Sequence, residues 1–265
     1  ENTLTGHRLL RLRIVREREE LAKIGQFTRY GPNETKGMPG SLETAQVLEL
    51  EYQEEDRQGV HYMILDPKGL RIEPIPPPPP FPAFLQAARM RFPFREEAER
   101  FSKLETHGNQ DAFLQALQII EPRLKRVTIV VLGGEPILHG DIGMGRLIPL
   151  PIMGEGMCRL ASLVLHIANA PNGVVLVDEI ENGLHYSILN KIWQAIGEAA
   201  RQFNTQVFAT THSLECIQAA HKAFEESGQY DFRLYRLERI DEIIQAVAFD
   251  QETLGTAIEE GFEVR

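Results

Sequence analysis

The sequence predicts an α/β fold built around a largely parallel core sheet. Two short apolar strands are expected at 174–177 and 206–209, with an amphipathic helix between them. One stripe of that helix, with a 3.6-residue period, holds Ile188, Ile192, Trp193, Ile196 and Ala200. Short, wholly apolar strands that alternate with helices are typical of a parallel sheet covered on both faces. We therefore expect helices to bury both faces of this sheet.

The composition is that of an ordinary globular protein. Of 265 residues, 43% are hydrophobic and 25% are charged. The net charge of -10 argues against a protein whose whole surface binds nucleic acid. Cys158 and Cys216 lie in apolar helical patterns, which predicts two reduced thiols and a cytoplasmic protein. No apolar run reaches 18 residues, so no membrane span is predicted.

Three regions are predicted along the chain. Residues 1–82 form an N-terminal part that begins with a basic, partly helical segment up to residue 26. This part continues with antiparallel strands in AQVLELEYQ and GVHYMILDPKGLRIEPI, and ends in the stiff proline connector PIPPPPPFP. Residues 83–126 are predicted to be a helical subdomain that starts with AFLQAARM. Residues 127–265 are expected to form the core.

The core region is predicted to open with strands and to continue with alternating helices and strands. The first strands are VTIVVL, PILHGDIG and RLIPLPI, which span 127–152 with short breaks. A strong apolar helix at 157–170 then leads into the first strand of the parallel sheet. The helix SLECIQAAHKAF follows the second strand of that sheet, and the C-terminal stretch is predicted to be a strand pair with a closing helix.

An acidic pair follows the first parallel strand directly. Asp178 and Glu179 come immediately after the apolar run at 174–177. Parallel sheets bind ligands beyond the carboxyl ends of their strands. Apolar residues followed by Asp-Glu fit the Walker B element of a nucleotide hydrolase, in which Asp holds Mg²⁺ and Glu polarises the attacking water.

Two further elements could reach the same edge of the sheet. The second strand ends in TTHS, and if the strands are neighbours, His212 lies beside Glu179, where an imidazole can contact a γ-phosphate. Alternatively, His212 only caps the following helix together with Ser213. Upstream, the turn Gly154-Glu155-Gly156 precedes a strong helix, and the amides at a helix N-terminus attract phosphate.

The order of these motifs resembles that of ABC-type ATPases of the SMC/RecF/OLD group, within the AAA family of P-loop proteins. GEG (154–156) is similar to their signature loop, and VVLVDE (174–179) to their Walker B element. ENGLH (181–185) resembles the D-loop, and TTHS (210–213) resembles the histidine switch. The likeness extends over most of the chain, and DEIENGLH together with TTHSLE is similar to stand-alone ATPases of bacterial anti-phage and toxin–antitoxin loci.

The resemblance implies a P-loop NTPase-like ABC ATPase fold with a small antiparallel β region, and ATP and Mg²⁺ as cofactors. It implies a homodimer in which two domains pair head to tail around ATP, and an effector protein as a further partner. The catalytic residues are then Glu179 and His212, and Asp178 is the magnesium ligand. The nucleotide-binding positions implied by the resemblance are Gly154, Glu155, Gly156, Asp178 and His185.

The sequence departs from the family pattern at three points. It contains no GxxxxGK[ST] phosphate-binding loop, and the nearest segment, GPNETKG at 31–37, is predicted to be a surface loop. Together with a first residue that is Glu, this predicts a fragment of a longer protein, and a natural pseudo-ATPase is the alternative. Gly154 stands where the family has a serine, which predicts slow turnover. No glutamine can be assigned to a Q-loop.

Three functions remain open at this point. The first is a dimeric ATPase that acts as a nucleotide switch or scaffold for an effector in anti-phage defence. The second is the ATPase part of an OLD-type nuclease, although the short stretch after TTHS lacks the clustered acidic residues of such a site. The third is a nucleic-acid clamp, but the heptads of long coiled-coil arms are missing. Nucleic acid contact by the assembled dimer stays open, and no membrane partner is expected.

Overall fold

The computed structural model divides the chain into two compact units. It describes residues 9–17, 19–21, 24, 46–54, 57–66, 69–88, 92–241 and 243–265. The first unit spans Glu1–Pro78 and the second Pro79–Arg265, so the division falls inside the proline run. The predicted boundaries at residues 82 and 126 stay predictions. GPNETKG lies outside the described residues.

The first unit is an antiparallel sheet, as predicted. Its strands are β1 (Leu9–Val15), β2 (Gln46–Glu54), β3 (Arg57–Asp66) and β4 (Gly69–Glu73), in the order β1-β2-β3-β4. The helical prediction for the basic N-terminal segment is wrong over β1. The alternation LRLRIV has the two-residue period of a strand, and it places Arg11 opposite Glu51 and Arg13 opposite Glu49.

The second unit contains the predicted parallel sheet. β5 (Ala83–Gln86), β9 (Val174–Val177) and β10 (Gln206–Ala209) are parallel and lie in the order β10-β9-β5. The helix predicted for AFLQAARM is wrong, because residues 83–86 pair with β9 instead. The pairing is closed at both ends, where Val174 N–H donates to Pro82 O and Asp178 N–H donates to Gln86 O, each at 2.9 Å. Tertiary pairing outweighs the local helical pattern here.

The two faces of this sheet differ. Val175 and Val177 are buried in the main core. On the other face, one cross-strand row remains open within the described part of the chain: Leu85 is 54% exposed, Leu176 42% and Phe208 51%. The expectation of burial on both faces is therefore wrong for these residues, since no described element covers this row.

The described part of the second unit also contains six α-helices, and their positions confirm the helical predictions after residue 93. They are α1 (Phe94–Thr106), α2 (Gln110–Gln118), α3 (Glu155–Ala168), α4 (Leu189–Phe203), α5 (Leu214–Glu226) and α6 (Gln251–Glu259). From Leu160 to Ala168 every residue of α3 is buried. This helix packs against α1, α2, α4 and β9, and it forms the centre of the core.

Two small antiparallel sheets complete the second unit. One contains β6 (Arg126–Leu132), β7 (Glu135–Asp141) and β8 (Ile148–Pro149), and the other is the predicted C-terminal pair β11 (Leu234–Ile240) and β12 (Ile243–Phe249). The strand predicted for RLIPLPI is only two residues long and continues as a 3₁₀-helix over Leu150–Met153. Pro149 and Pro151 lack an N–H donor, which prevents a longer strand.

Both cysteines lie in the second unit, and neither forms a disulfide bond. Cys216 is buried and Cys158 is half-buried. Burial raises the pKa of the Cys216 thiol. None of the helices in the described ranges is both long and apolar enough to cross a membrane.

A cluster of polar side chains is enclosed between α1 and α3. Burial raises the pKa of Glu97 from 4.5 to about 7, against the opposing effects of a hydrogen bond with Ser162 and of the nearby Arg100. His166 is fully buried beside the ring of Phe92, and burial lowers its pKa to about 4. Both groups are therefore held towards their neutral forms.

The raised pKa of Glu97 predicts that Glu97→Gln stabilises the protein increasingly as the pH rises from 4.5 to above 7. A carboxyl whose folded pKa is raised favours folding fully below pH 4.5, and that contribution is lost as the pH rises through about 7. We expect the variant to gain about 1–3 kcal/mol in the free energy of unfolding at pH 8, and almost nothing near pH 4.5. Urea denaturation at both pH values measures this, with Glu99→Gln, an exposed position on α1, as the control. An equal gain at both pH values would contradict the assignment.

Candidate functional site

Asp178 lies at the carboxyl edge of the parallel sheet, next to the end of β10. Its side chain is exposed, and one carboxylate oxygen, Oδ1, accepts a hydrogen bond of 2.8 Å from the Thr210 hydroxyl. Its backbone N–H continues the pairing of β9 with β5. The carboxylate therefore has a fixed position, with one face open to a ligand.

Glu179 has a backbone conformation that is unusual for its residue type. Its φ angle is 46°, in the left-handed region, which costs about 1–2 kcal/mol for a residue other than glycine. Its N–H donates to the Thr210 hydroxyl at 2.9 Å, and its carbonyl accepts from Arg159 Nη2 at 2.8 Å. The N–H of the next residue, Ile180, donates to Thr210 O at 3.0 Å. These bonds hold the chain in a turn that directs it away from the strand.

His212 is close in sequence to these contacts and exposed in the structure. The prediction that β9 and β10 are neighbours is confirmed, with Ala209 opposite Val177. The backbone N–H of His212 donates to Glu181 Oε1 at 2.9 Å, which ties the TTHS segment to the ENGLH segment. The cap of α5 comes from Ser213, whose hydroxyl accepts from Cys216 N–H at 3.1 Å. The imidazole is therefore not needed as the cap.

The ENGLH segment turns back along the edge of the sheet. Asn182 donates through Nδ2 to Ala88 O at 2.9 Å, which joins this segment to the residues after β5. His185 is exposed, and its Nδ1 accepts from Ser187 N–H at 3.3 Å as the cap of a short 3₁₀-helix over Tyr186–Ile188. Because Nδ1 accepts in this cap, a neutral His185 carries its proton on Nε2.

The glycine turn at the start of α3 packs against the same segment. A Cβ on Gly156 would lie 2.7 Å from Ile188 Cδ1, and one on Gly183 would lie 3.4 Å from Glu155 Cγ. Gly154 has φ 115° and ψ 157°, a region that is essentially restricted to glycine. The serine expected from the family pattern would be strained in this conformation, which gives a backbone reason for glycine at position 154.

Of the sequence-predicted residues, the structure brings together two groups. Asp178 and Glu179 are hydrogen-bonded to Thr210 at the end of β10, and the backbone N–H of His212 donates to Glu181, two residues after Glu179. Gly156 and Glu155 pack against the segment that contains His185. The roles assigned to all seven residues from sequence stay predictions.

Three contributors to the site were not singled out from the sequence. Thr210 was seen only as part of TTHS, and Arg159 only as part of a helix. Gln86 ends β5 directly beside Asp178, with its side-chain Oε1 buried and without a hydrogen-bond partner among the described residues. The sequence analysis missed Gln86 because it predicted a helix for AFLQAARM. A strand at 83–86 would have placed this glutamine at the carboxyl edge of the parallel sheet.

The donors at this edge fit Mg²⁺ only together with a nucleotide. Among the described residues there is no group of three His, Cys, Asp or Glu side chains that could hold a metal ion by itself. Mg²⁺ is commonly bound through one or two carboxylates, with phosphate oxygens and water completing its shell. The exposed carboxylate of Asp178 matches that requirement.

A family model matches residues 53–217, which is more than half of the chain, and its description is "AAA domain, putative AbiEii toxin, Type IV TA system". The chain belongs to this AAA family. The AAA ATPase family predicted from the sequence is therefore confirmed, and the structure has the predicted α/β fold with a parallel sheet and antiparallel sheets.

Relatives of this AAA domain resemble it over limited stretches. An ATP/GTP phosphatase of Helicobacter pylori is 27% identical over 101 residues, which is 37% of this chain and 27% of that protein. An uncharacterized protein of Methanocaldococcus jannaschii, MJECL11, is 38% identical over 65 residues, or 24% of this chain and 57% of that protein. The chain thus matches about a quarter of the first relative and just over half of the second.

Among solved structures, the Smc head domain of Pyrococcus furiosus with an extended coiled coil, bound to the C-terminal domain of ScpA, is similar in fold. The TM-score is 0.45 at 12% identity, over 82% of this chain and 80% of that one.

The conformation of Gly154 predicts a cost for any side chain at this position. Gly154→Ala places a Cβ in the region that only glycine adopts readily, so we expect a loss of about 1–3 kcal/mol in the free energy of unfolding. Gly156→Ala is the matched control. Its φ is not positive, and the nearest atom is the flexible end of Ile188, so its cost should be smaller. Chemical denaturation of both variants measures the difference, and a larger loss for Gly156→Ala would refute the assignment.

Proposed function

We propose that this chain is the part of an ATP-hydrolysing nucleotide switch that carries the catalytic carboxylate, and that it works as a head-to-tail homodimer. The observation that supports this most is the hydrogen bonding of Thr210, which joins the Asp178-Glu179 pair to the segment that contains His212. The acidic pair and the segment that contains His212 follow different strands. They can act on one ligand only if both lie at the same edge of the sheet.

In this proposal each residue has a separate task. Asp178 holds Mg²⁺, which would shield the phosphate charges of ATP and position them. Glu179 accepts a proton from the water that attacks the γ-phosphorus, and the bond to the β–γ bridging oxygen breaks to leave ADP and phosphate. His212 would donate a hydrogen bond to the γ-phosphate. The side chain of Glu179 follows a turn that is held at both its N–H and its carbonyl, which favours one orientation of the carboxylate.

In the dimer, each nucleotide would also be contacted by the glycine turn of the partner domain. Gly154, Glu155 and Gly156 form the start of α3, where backbone N–H groups point along the helix axis towards an anion. α3 has no side-chain cap, so no polar side chain of its N-cap residue competes for these donors. His185 lies in the segment that packs against this turn, and we propose that it faces the same interface. ATP would then close the dimer and hydrolysis would open it.

We propose that the phosphate cradle is supplied by a further segment. The 265 residues contain no GxxxxGK[ST], and within the described part of the chain β10 pairs on one edge only, with β9. The row Leu85, Leu176 and Phe208 is exposed on one face of this sheet. We propose that a strand, loop and helix carrying the phosphate-binding motif pair with β10 and cover this row, because burying it removes apolar surface from water.

A partner that responds to the switch completes the proposal. The description of the family names a toxin and a type IV toxin–antitoxin system, which supports an effector protein as the partner in a defence role. We place this role in the cytoplasm. Both the nuclease-associated role and direct contact with nucleic acid stay alternatives.

The proposal predicts the behaviour of Glu179→Gln in full-length protein that includes the phosphate-binding loop. Loss of the base should lower kcat for ATP hydrolysis at least about 100-fold while ATP binding is retained. The variant should therefore accumulate as an ATP-bound dimer. Phosphate release and light scattering with and without ATP measure the two effects.

The control for this prediction is Glu198→Gln, which removes the same charge from an exposed position on α4. It should hydrolyse ATP like the wild type. Equal turnover by wild type and Glu179→Gln would reject Glu179 as the base. Turnover that is absent even in the wild type would reject the ATPase and favour the pseudo-ATPase.

A further inference from the structure

Arg159 lies where three segments of the site meet. It is on α3, one turn after Glu155, and is half-buried. Its Nη2 donates to Glu179 O at 2.8 Å, and its Nη1 donates to Ala88 O at 3.4 Å. One guanidinium therefore contacts the chain after β9 and the chain after β5, while it remains fixed to the helix that starts with the glycine turn.

Its surroundings keep this guanidinium in place. Burial lowers the pKa of Arg159, and the carboxylates of Glu155, Glu181 and Glu179 act in the opposite direction. Arginine stays charged in proteins, so the donors to both carbonyls carry charge, which makes such hydrogen bonds stronger than neutral ones. Ala88 O also accepts from Asn182 Nδ2 at 2.9 Å, which adds the ENGLH segment to the same network.

Arg159 donates to a residue with an unusual backbone conformation. Glu179 is in the left-handed region, and its N–H is already held by the Thr210 hydroxyl. The carbonyl is the other end of the same residue, and Arg159 holds it. With both ends fixed, the direction of the Cα–Cβ bond, and hence the starting point of the carboxylate, is determined by β10 on one side and by α3 on the other.

We propose that Arg159 is a positioning residue, which sets the orientation of Glu179 and ties it to the first turn of α3. This inference rests on the proposed function, because it takes Glu179 to be the base. The hydrogen bond from Arg159 to the Glu179 carbonyl does not depend on that assignment. Displacement of α3 shifts the Glu179 carbonyl, so the turn formed by Gly154, Glu155 and Gly156 and the catalytic carboxylate move together.

The kinetic test uses Arg159→Gln in full-length protein that includes the phosphate-binding loop. Since misplacement of a catalytic group by about 1 Å costs on the order of 100-fold in rate, kcat should fall by about 10- to 100-fold while the KM for ATP changes little. Arg159→Lys keeps the charge but not the fork of two donors, so its kcat should lie between those of the wild type and Arg159→Gln.

A double variant shows whether Arg159 acts through Glu179. In single-turnover measurements on Glu179→Gln, adding Arg159→Gln should cause no further loss, because the group that it positions is already gone. A further loss equal to that in the wild-type background would overturn the proposal.

The control variant is Arg201→Gln. Arg201 is a half-buried arginine on α4 that also donates to a backbone carbonyl, Gln229 O at 3.0 Å, and to the carboxylate of Asp231. It should leave kcat unchanged. A loss of kcat in Arg201→Gln as large as in Arg159→Gln would attribute the effect to general destabilisation and overturn the proposal.

A second readout does not depend on activity. Amide hydrogen exchange should accelerate at Glu179 and Ile180 in Arg159→Gln, and remain as in the wild type in Arg201→Gln. If the wild type does not hydrolyse ATP but the exchange changes as stated, the proposed function fails and the positional link stands. Unchanged exchange at Glu179 and Ile180 overturns the link itself.

Discussion

The hydroxyl group of Thr210 bridges the ends of two neighbouring strands. It donates to the Asp178 carboxylate and accepts from the Glu179 N–H, so one oxygen atom fixes a side chain and the adjacent backbone. Both bonds need β9 and β10 to be in register, with Ala209 opposite Val177. The position of the acidic pair therefore follows from sheet pairing, and the pairing follows from burial of Val175 and Val177 against the helices beneath.

This constraint also explains the strained backbone at Glu179. A strand that continued in the extended conformation would carry Glu179 onward from β9. The left-handed turn instead redirects the chain, and Thr210 and Arg159 hold its two ends. The strain is thus located at the residue for which the sequence indicates a catalytic role, and its cost is offset by hydrogen bonds from two separate elements.

The sequence was informative where the pattern was long or the chemistry was local. The helices α3 to α5 have strong apolar periodicity, and the parallel pairing of β9 and β10 followed from short apolar strands separated by a helix. β5 was missed because AFLQ is too short for its period to be decisive, and only pairing with β9 defines it. β1 was missed because its arginines suggested a solvated helix, whereas they pair across strands with glutamates that lie more than 30 residues away.

The sequence predicted the motifs of the site, but not the hydrogen bonds that join them. VVLVDE and TTHS are contiguous in sequence, so their residue types were visible. Arg159 and Thr210 act through backbone atoms of Glu179, and no residue pattern records which carbonyl a side chain reaches. The exposed row Leu85, Leu176 and Phe208 could not be predicted either, since short apolar strands of this kind are expected to be buried on both faces.

The most direct test of the account is a crystal structure of the full-length protein with Mg²⁺ and a non-hydrolysable ATP analogue. The account predicts one triphosphate at the carboxyl edge of the parallel sheet, with Asp178 in the magnesium shell and the His212 imidazole at hydrogen-bond distance, about 3 Å, from a γ-phosphate oxygen. It also predicts the glycine turn at 154–156 of the partner subunit on the opposite side of the same γ-phosphate. A triphosphate bound away from Asp178 and Glu179, or a His212 turned away from it, would contradict the account.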